Sequence, residues 1–269
     1  MKFVLFIVLL FSFLSGYTQV TPPTSSLSKV EETGNWNGLY IRGRFSEKFL
    51  YYSEHHYRRR NSLDNTYDFI GRMRQVYNRW GVNYVHNEYF NVILGPTLVF
   101  NFTPDPGNPD FEKVTLEPRI WHQWLLSQPY IGRVKLYHQF RFEHRWKRDN
   151  NIGASFKYTD RYRYKIFAYI PLNNKTLQNK TWFFSPSAEI FFETGKHVVY
   201  QHLEDFRIYN AIGYILNNKI TFFGGHMWTT GTKSNGYEFR QSHIIRLNLF
   251  YNIDFRNKNK IVPSVLMGD

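Results

Sequence analysis

The chain contains no cysteine, which removes disulfides, thiolate metal ligands, a lipidated cysteine and a Cys nucleophile together. Beyond the first 14 residues there is no apolar run approaching the roughly 20 residues that a spanning helix needs, so helical membrane insertion of the rest is excluded. Acidic residues are scarce: 21 Asp and Glu stand against 34 Lys and Arg, for a formal net charge of +13. The basic residues are spread over many segments and form no single patch, which argues against nucleic acid as partner. An anionic membrane surface or an anion-attracting cavity suits the imbalance better. Linkers, internal repeats and low-complexity blocks are also missing, so nothing divides the chain.

Rings are abundant instead. Aromatic residues make up 19% of the chain, yet the mean hydropathy is −0.48. The reason is visible in residues 131–147, where Val134, Leu136, Phe140, Phe142 and Trp146 alternate with Lys135, Tyr137, Gln139, Arg141, Glu143 and Arg145. A β-strand flips its side chains with period two, so this stretch predicts a strand with one apolar and one charged face. His138 and His144 fall on the apolar face, and His138 has no evident partner there. Similar alternation places Phe90, Val92, Leu94, Leu98, Phe100 and Phe102 opposite Asn91, Thr97 and Asn101, and Ile245, Leu247, Leu249 and Tyr251 opposite Arg246, Asn248 and Asn252. Apolar-out, polar-in strands with ring girdles are the pattern of an outer-membrane barrel.

Met1-Lys2, the apolar stretch 3–14 and the small or polar Ser15, Gly16 and Thr18 have the layout of a cleaved signal peptide. The expected organisation is a signal peptide at 1–18, a flexible leader at 19–34, an all-β transmembrane up-and-down antiparallel barrel at 35–256 and a tail at 257–269. Eleven candidate strands can be read between residues 36 and 255, and two of them, near 203–216 and 218–230, show no clean polar face. Short connections alternate with longer ones, as in bacterial barrels, whose strand number is even. Evenness predicts about twelve strands, with one hidden in the polar leader before Trp36, or else ten.

Such a barrel is too narrow for an open porin channel, and unpaired charges inside it would be costly. The inward faces predict a lumen lined by Arg72, Arg74, Arg119, Arg141, Arg145, Arg161, Arg163, Arg207 and Arg246, with Glu54, Glu117, Glu143 and Glu189 as ionic partners. Glu54 and His56 share a face, a partial metal set that lacks further ligands. His55-His56-Tyr57-Arg58-Arg59-Arg60 reads as a solvated strand end or a basic rim patch for lipopolysaccharide phosphates. Residues 104–110 form an exposed turn. Thr232-Lys233-Ser234-Asn235-Gly236 approaches the His-x-Ser-Asn-Gly pattern of outer-membrane phospholipases but has Thr232 where the His belongs, so no catalytic residue is assigned.

Trp36-Asn37-Gly38, Glu117-Pro118-Arg119-Ile120-Trp121-His122-Gln123, Phe140-Arg141-Phe142-Glu143-His144-Arg145-Trp146 and Arg161-Tyr162-Arg163-Tyr164 resemble an uncharacterised outer-membrane β-barrel family, domain of unknown function 2490, across roughly residues 36–255. The resemblance implies a Gram-negative outer-membrane location and supplies no reaction, cofactor or metal. The sequence therefore leads to a monomeric or weakly associating barrel among outer-membrane lipids and lipopolysaccharide. Its expected function is a narrow pore or binding barrel for small anionic solutes. A plugged structural or partner-binding barrel is the alternative, and a barrel-borne lipid hydrolase the weakest reading.

Overall fold

In a computed structural model, residues 28–232 and 238–256 are described; the expected signal peptide, the tail and Ser234 lie outside them. The strands are β1 (Ser28–Arg44), β2 (Phe49–Arg60), β3 (Arg72–Val85), β4 (Phe90–Phe102), β5 (Val114–Ser127), β6 (Lys135–Lys147), β7 (Lys157–Pro171), β8 (Thr181–Thr194), β9 (Leu203–Ile215), β10 (Ile220–Thr232) and β11 (Glu238–Asp254). They follow one another around a closed barrel in sequence order, and β1 closes the ring against β11. An all-β barrel is therefore what the alternation predicted, and the eleven segments are its strands.

The requirement of evenness is what fails. Antiparallel neighbours reverse direction at each step, so an odd ring brings its first and last strands together pointing the same way. β1 and β11 accordingly pair in parallel, from Ser28 opposite Glu238 to Arg44 opposite Asp254. Among the described residues the polar leader supplies no twelfth strand; residues 28–34 extend β1, and the stretch before Gly34 pairs with β11 alone. With eleven crossings the chain enters the barrel at the end that carries the longer loops and leaves at the end that carries the tight turns.

Those turns are encoded locally. Oδ1 of Asn87 accepts from the amides of Tyr89 and Phe90, both at 2.9 Å. Asn217 does the same for Lys219 and Ile220 at 2.8 and 3.0 Å, and Ser46 Oγ accepts from the Phe49 amide at 2.9 Å. A short polar side chain that satisfies the turn's amides makes a tight reversal cheap. At the opposite end Asp105 and Asn108 cap the amides of Gly107 and Asp110, so residues 104–110 are the turn their composition predicts.

Outward side chains form the expected bands. Phe49, Tyr51, Tyr84, Trp124, Trp182, Tyr214 and Tyr251 ring the short-turn end, and Tyr57, Trp146, Tyr158, Phe206 and Trp228 ring the long-loop end. Aliphatic residues such as Val82, Leu94, Ile120, Ile208, Ile212 and Leu247 stand exposed between them. His138 finds two partners on this wall, Gln128 Nε2 at 3.0 Å and Tyr164 Oη at 2.8 Å.

Inward side chains are stacked in two tiers. Toward the short turns lie Tyr40, Leu125, Tyr137, Phe167, Tyr169, Phe183, Ala211, Phe223 and Phe250, buried in one cluster. Tyr137 stacks on Phe167 with centroids 4.8 Å apart, and Tyr40 on Phe250 at 4.3 Å. Gly213 leaves room for the Phe183 ring to lie against the wall, where a methyl group would overlap it. Each buried ring stabilises the barrel by roughly 1.5–3 kcal/mol, so this tier is a true hydrophobic core inside the barrel. The charged tier fills the middle and the long-loop half.

Candidate functional site

The charged tier is built from side chains that alternate with the outward ones on β1 to β3, β5 to β9 and β11. At its centre Glu143 is fully buried and accepts from four guanidinium groups: Arg79 at 2.6 Å, Arg119 and Arg161 at 3.2 Å, and Arg163 at 3.3 Å. Glu54 accepts from Arg141 at 2.9 Å, from Tyr52 Oη and from Arg79. Arg119 also holds Glu117 at 2.9 Å and Arg163 holds Glu189 at 2.7 Å, while Arg141 Nε donates to Gln123 at 2.7 Å. Shared guanidinium–carboxylate contacts of this kind are what permits so many charges to be buried together.

Most of the residues expected in the lumen are therefore there and in mutual contact. Arg145 joins Glu193 at 2.8 Å, and Arg246 donates to Tyr40 Oη at 2.7 Å. Arg72 is the exception. It sits at the long-loop rim, where its Nε donates to the Asn61 carbonyl at 2.9 Å and its Nη1 to Pro104.

The basic cluster at 55–60 does not form one patch either. His56 and Arg58 point inward, His55 outward to Asn78 Oδ1 at 2.9 Å, and Arg59 and Arg60 donate to the carbonyls of Gly71 and Phe102. Glu54 and His56 do share a face, 3.5 Å apart, but arginines already occupy the carboxylate. No group of three or more metal-ligating residues forms among the described residues.

Several members were not read from the sequence: Arg79, Glu193, Glu204 and Arg240 lie inside. Glu204 and the expected Arg74 sit at two irregularities that share a design. Arg58 pairs with Gln75 and Arg59 with Met73, leaving Arg74 as an extra residue in β3. Phe191 pairs with Asp205 and Phe192 with Leu203, leaving Glu204 as the extra residue in β9. A β-bulge shifts the inside–outside phase by one residue and turns an additional side chain inward. Arg74 reaches Glu32 at 3.1 Å, and Glu204 Oε2 accepts from Arg161 Nε at 2.6 Å.

Both bulges open onto one cavity of about 210 Å³ in the long-loop half of the lumen. Its walls carry eight cationic side chains, Arg58, Arg74, Arg119, Arg145, Lys147, Arg161, Arg207 and Arg240, and three carboxylates, Glu117, Glu204 and Asp205. Counting Glu32, Glu143 and Glu193, which grip these cations from behind, an excess of two positive charges remains. The Arg58 guanidinium lies 4.0 Å from the Trp36 ring and 4.3 Å from that of Tyr77, and Arg207 lies 4.1 Å from Phe191. Four N–H donors on cavity-lining residues meet no acceptor among the described residues: Trp36 Nε1, Arg119 Nε, Arg145 Nε and Arg240 Nε. Lys147, 32% exposed, lines the cavity on its long-loop side, and the aromatic tier lies below it.

Fold and site together define a closed β-barrel with an ion-paired, cationic lumen sealed at one end. Residues 33–240 match the family described as a protein of unknown function (DUF2490), and the chain belongs to that family. No curated protein matches it.

Proposed function

We propose that this protein is an exported outer-membrane barrel that binds a small oxyanion, free or carried on a small solute, in its lumen, entered from the long-loop side. The observation that carries the reading is the cavity of Arg-rich walls in which the indole N–H of Trp36 and three guanidinium Nε–H groups lack acceptors. Buried donors left unmade cost free energy, and a phosphate, sulfate or carboxylate offers several acceptor oxygens at once. Binding is favoured over permeation because the aromatic tier fills the short-turn half of the lumen. The two exposed ring bands, with aliphatic residues between them, support the membrane placement.

The test is titration of the detergent-folded protein with inorganic phosphate, sulfate and citrate by calorimetry, with Trp36→Phe as the variant. The ring is kept and one donor is removed. Saturable binding that weakens about tenfold or more in the variant, the worth of a hydrogen bond to a charged acceptor, is the expected result. Absence of saturable binding for every anion at millimolar concentration would refute the proposal.

A further inference from the structure

The membrane placement just proposed has a consequence for the outer wall. On β4 and β8 the outward faces are wholly apolar between their ends. On β5 to β7 the outward imidazoles each meet a neighbour: His138 has both ring nitrogens bonded, His144 meets Asp160 at 2.6 Å near the long-loop rim, and His122 stacks on the Phe142 ring with centroids 4.6 Å apart. The wall from β9 across the parallel β1–β11 seam to β3 is different. Asn210, His226, His243, Asn35, Asn37 and Asn78 project outward from it at mid-strand.

Internal bonds cover only part of this stripe. His226 Nε2 lies 3.1 Å from His243 Nδ1, Asn37 Nδ2 donates to Asn35 Oδ1 at 2.6 Å, and Asn78 Oδ1 is held by His55. The Asn210 amide, Asn37 Oδ1 and Asn78 Nδ2 have no partner among the described residues. In hydrocarbon each such group is costly, because no water replaces the missing partner. The same wall is recessed by about 780 Å³, with Leu39, Ile212, Phe222, Leu247 and Leu249 beside Gly224 in the recess.

We infer that this wall is the interface of a two-fold dimer and that its occupant is a second copy of this chain. The stripe carries no formal charge at mid-wall, so a charged partner surface would go unmatched. Amides and imidazoles each offer both a donor and an acceptor. Across a two-fold axis the stripe meets itself, and every unmet acceptor can face an unmet donor of the copy. The recess allows the close approach on which contacts within a bilayer depend, since lipid gives apolar surfaces no reason to separate from it.

Because the chain has no cysteine, single-cysteine variants give a clean test. Asn35→Cys, Asn37→Cys, Asn78→Cys and Asn210→Cys are compared with Leu94→Cys and Ile166→Cys on other outward faces, in outer membranes under mild oxidation. Retention of the protein in carbonate-washed membranes is scored first, and its failure strikes the membrane reading alone. With retention established, the expected result is disulfide-linked homodimer from at least one stripe position and none from the controls. In lipid nanodiscs the Asn37→Leu, Asn78→Leu, Asn210→Leu triple variant, checked for a folded barrel by circular dichroism, weakens self-association by about tenfold or more. A wild-type protein that stays monomeric at every density, crosslinks from the controls alone, or crosslinks to a different protein would overturn the dimer.

Discussion

Replacing Glu143 tests whether the charged tier holds the barrel together. The carboxylate is fully buried and accepts from Arg79, Arg119, Arg161 and Arg163 at 2.6–3.3 Å. Removing one partner from a buried ion pair costs about 3–5 kcal/mol, because the other charges stay buried and uncompensated. Each of the four arginines keeps a second carboxylate, Glu54, Glu117, Glu204 and Glu189 respectively. Glu143→Gln also retains an acceptor oxygen, so its loss falls near 3 kcal/mol and that of Glu143→Ala near 5 kcal/mol, both order-of-magnitude figures. Against a total stability of about 5–15 kcal/mol these are large effects. The control is Asp149→Asn, whose pair with Lys157 has side chains 67% and 42% exposed and is worth about 0–1 kcal/mol.

Reversible urea unfolding of the barrel in detergent, followed by tryptophan fluorescence, gives the comparison. A Glu143→Gln variant within about 1 kcal/mol of wild type would show that water, and not the carboxylate, neutralises the arginines, and the account of a dry ionic tier would be wrong. The same variant carries a second readout, because deleting one negative charge beside the cavity strengthens phosphate binding; weaker binding with the fold intact contradicts the assigned charge balance.

Three further outcomes follow from the same geometry. In planar bilayers the wild-type barrel shows no steady conductance, and Phe183→Ala or Tyr137→Ala, which thin the aromatic tier, introduce it; a wild-type anion current indifferent to both substitutions would reject the seal. Asp68, in the loop between β2 and β3, accepts from Ser62 Oγ and the Ile70 amide, which hold its carboxyl below the ordinary aspartate range. A depressed folded-state pKa contributes order above the unfolded value and loses it as pH falls through the folded one. Amide exchange in residues 61–71 therefore quickens on acidification, and Asp68→Asn abolishes that pH dependence. Finally, Ser28→Cys and Glu47→Cys lie at opposite ends of the barrel, so a membrane-impermeant thiol reagent on intact cells labels the first and spares the second; equal labelling would contradict eleven crossings.

How much was legible in the sequence varies with the physics behind each feature. Strand faces were readable because alternation is local: Arg141, Glu143 and Arg145 on β6, or Arg161 and Arg163 on β7, can point only one way once their apolar neighbours point the other. The inward phase of β3 and β9 was not readable in the same way. Arg72 and Arg74 suggest one phase and Arg79 the opposite one, and only a bulge at Arg74 reconciles them. In β9 the adjacent Glu204 and Asp205 were the available signal that two consecutive residues face inward.

By itself the sequence determined that this chain forms strands, which face of most of them is oily, where the tight turns fall and that the interior is basic. Those properties depend on residues one to four apart. Parity of the strand count, the parallel seam, the meeting of four arginines at Glu143 and the enclosed cavity were decided by the tertiary structure. Each depends on which strands become neighbours and in what register, and residues as distant as Glu54 and Arg141 come within hydrogen-bonding reach only when the ring closes.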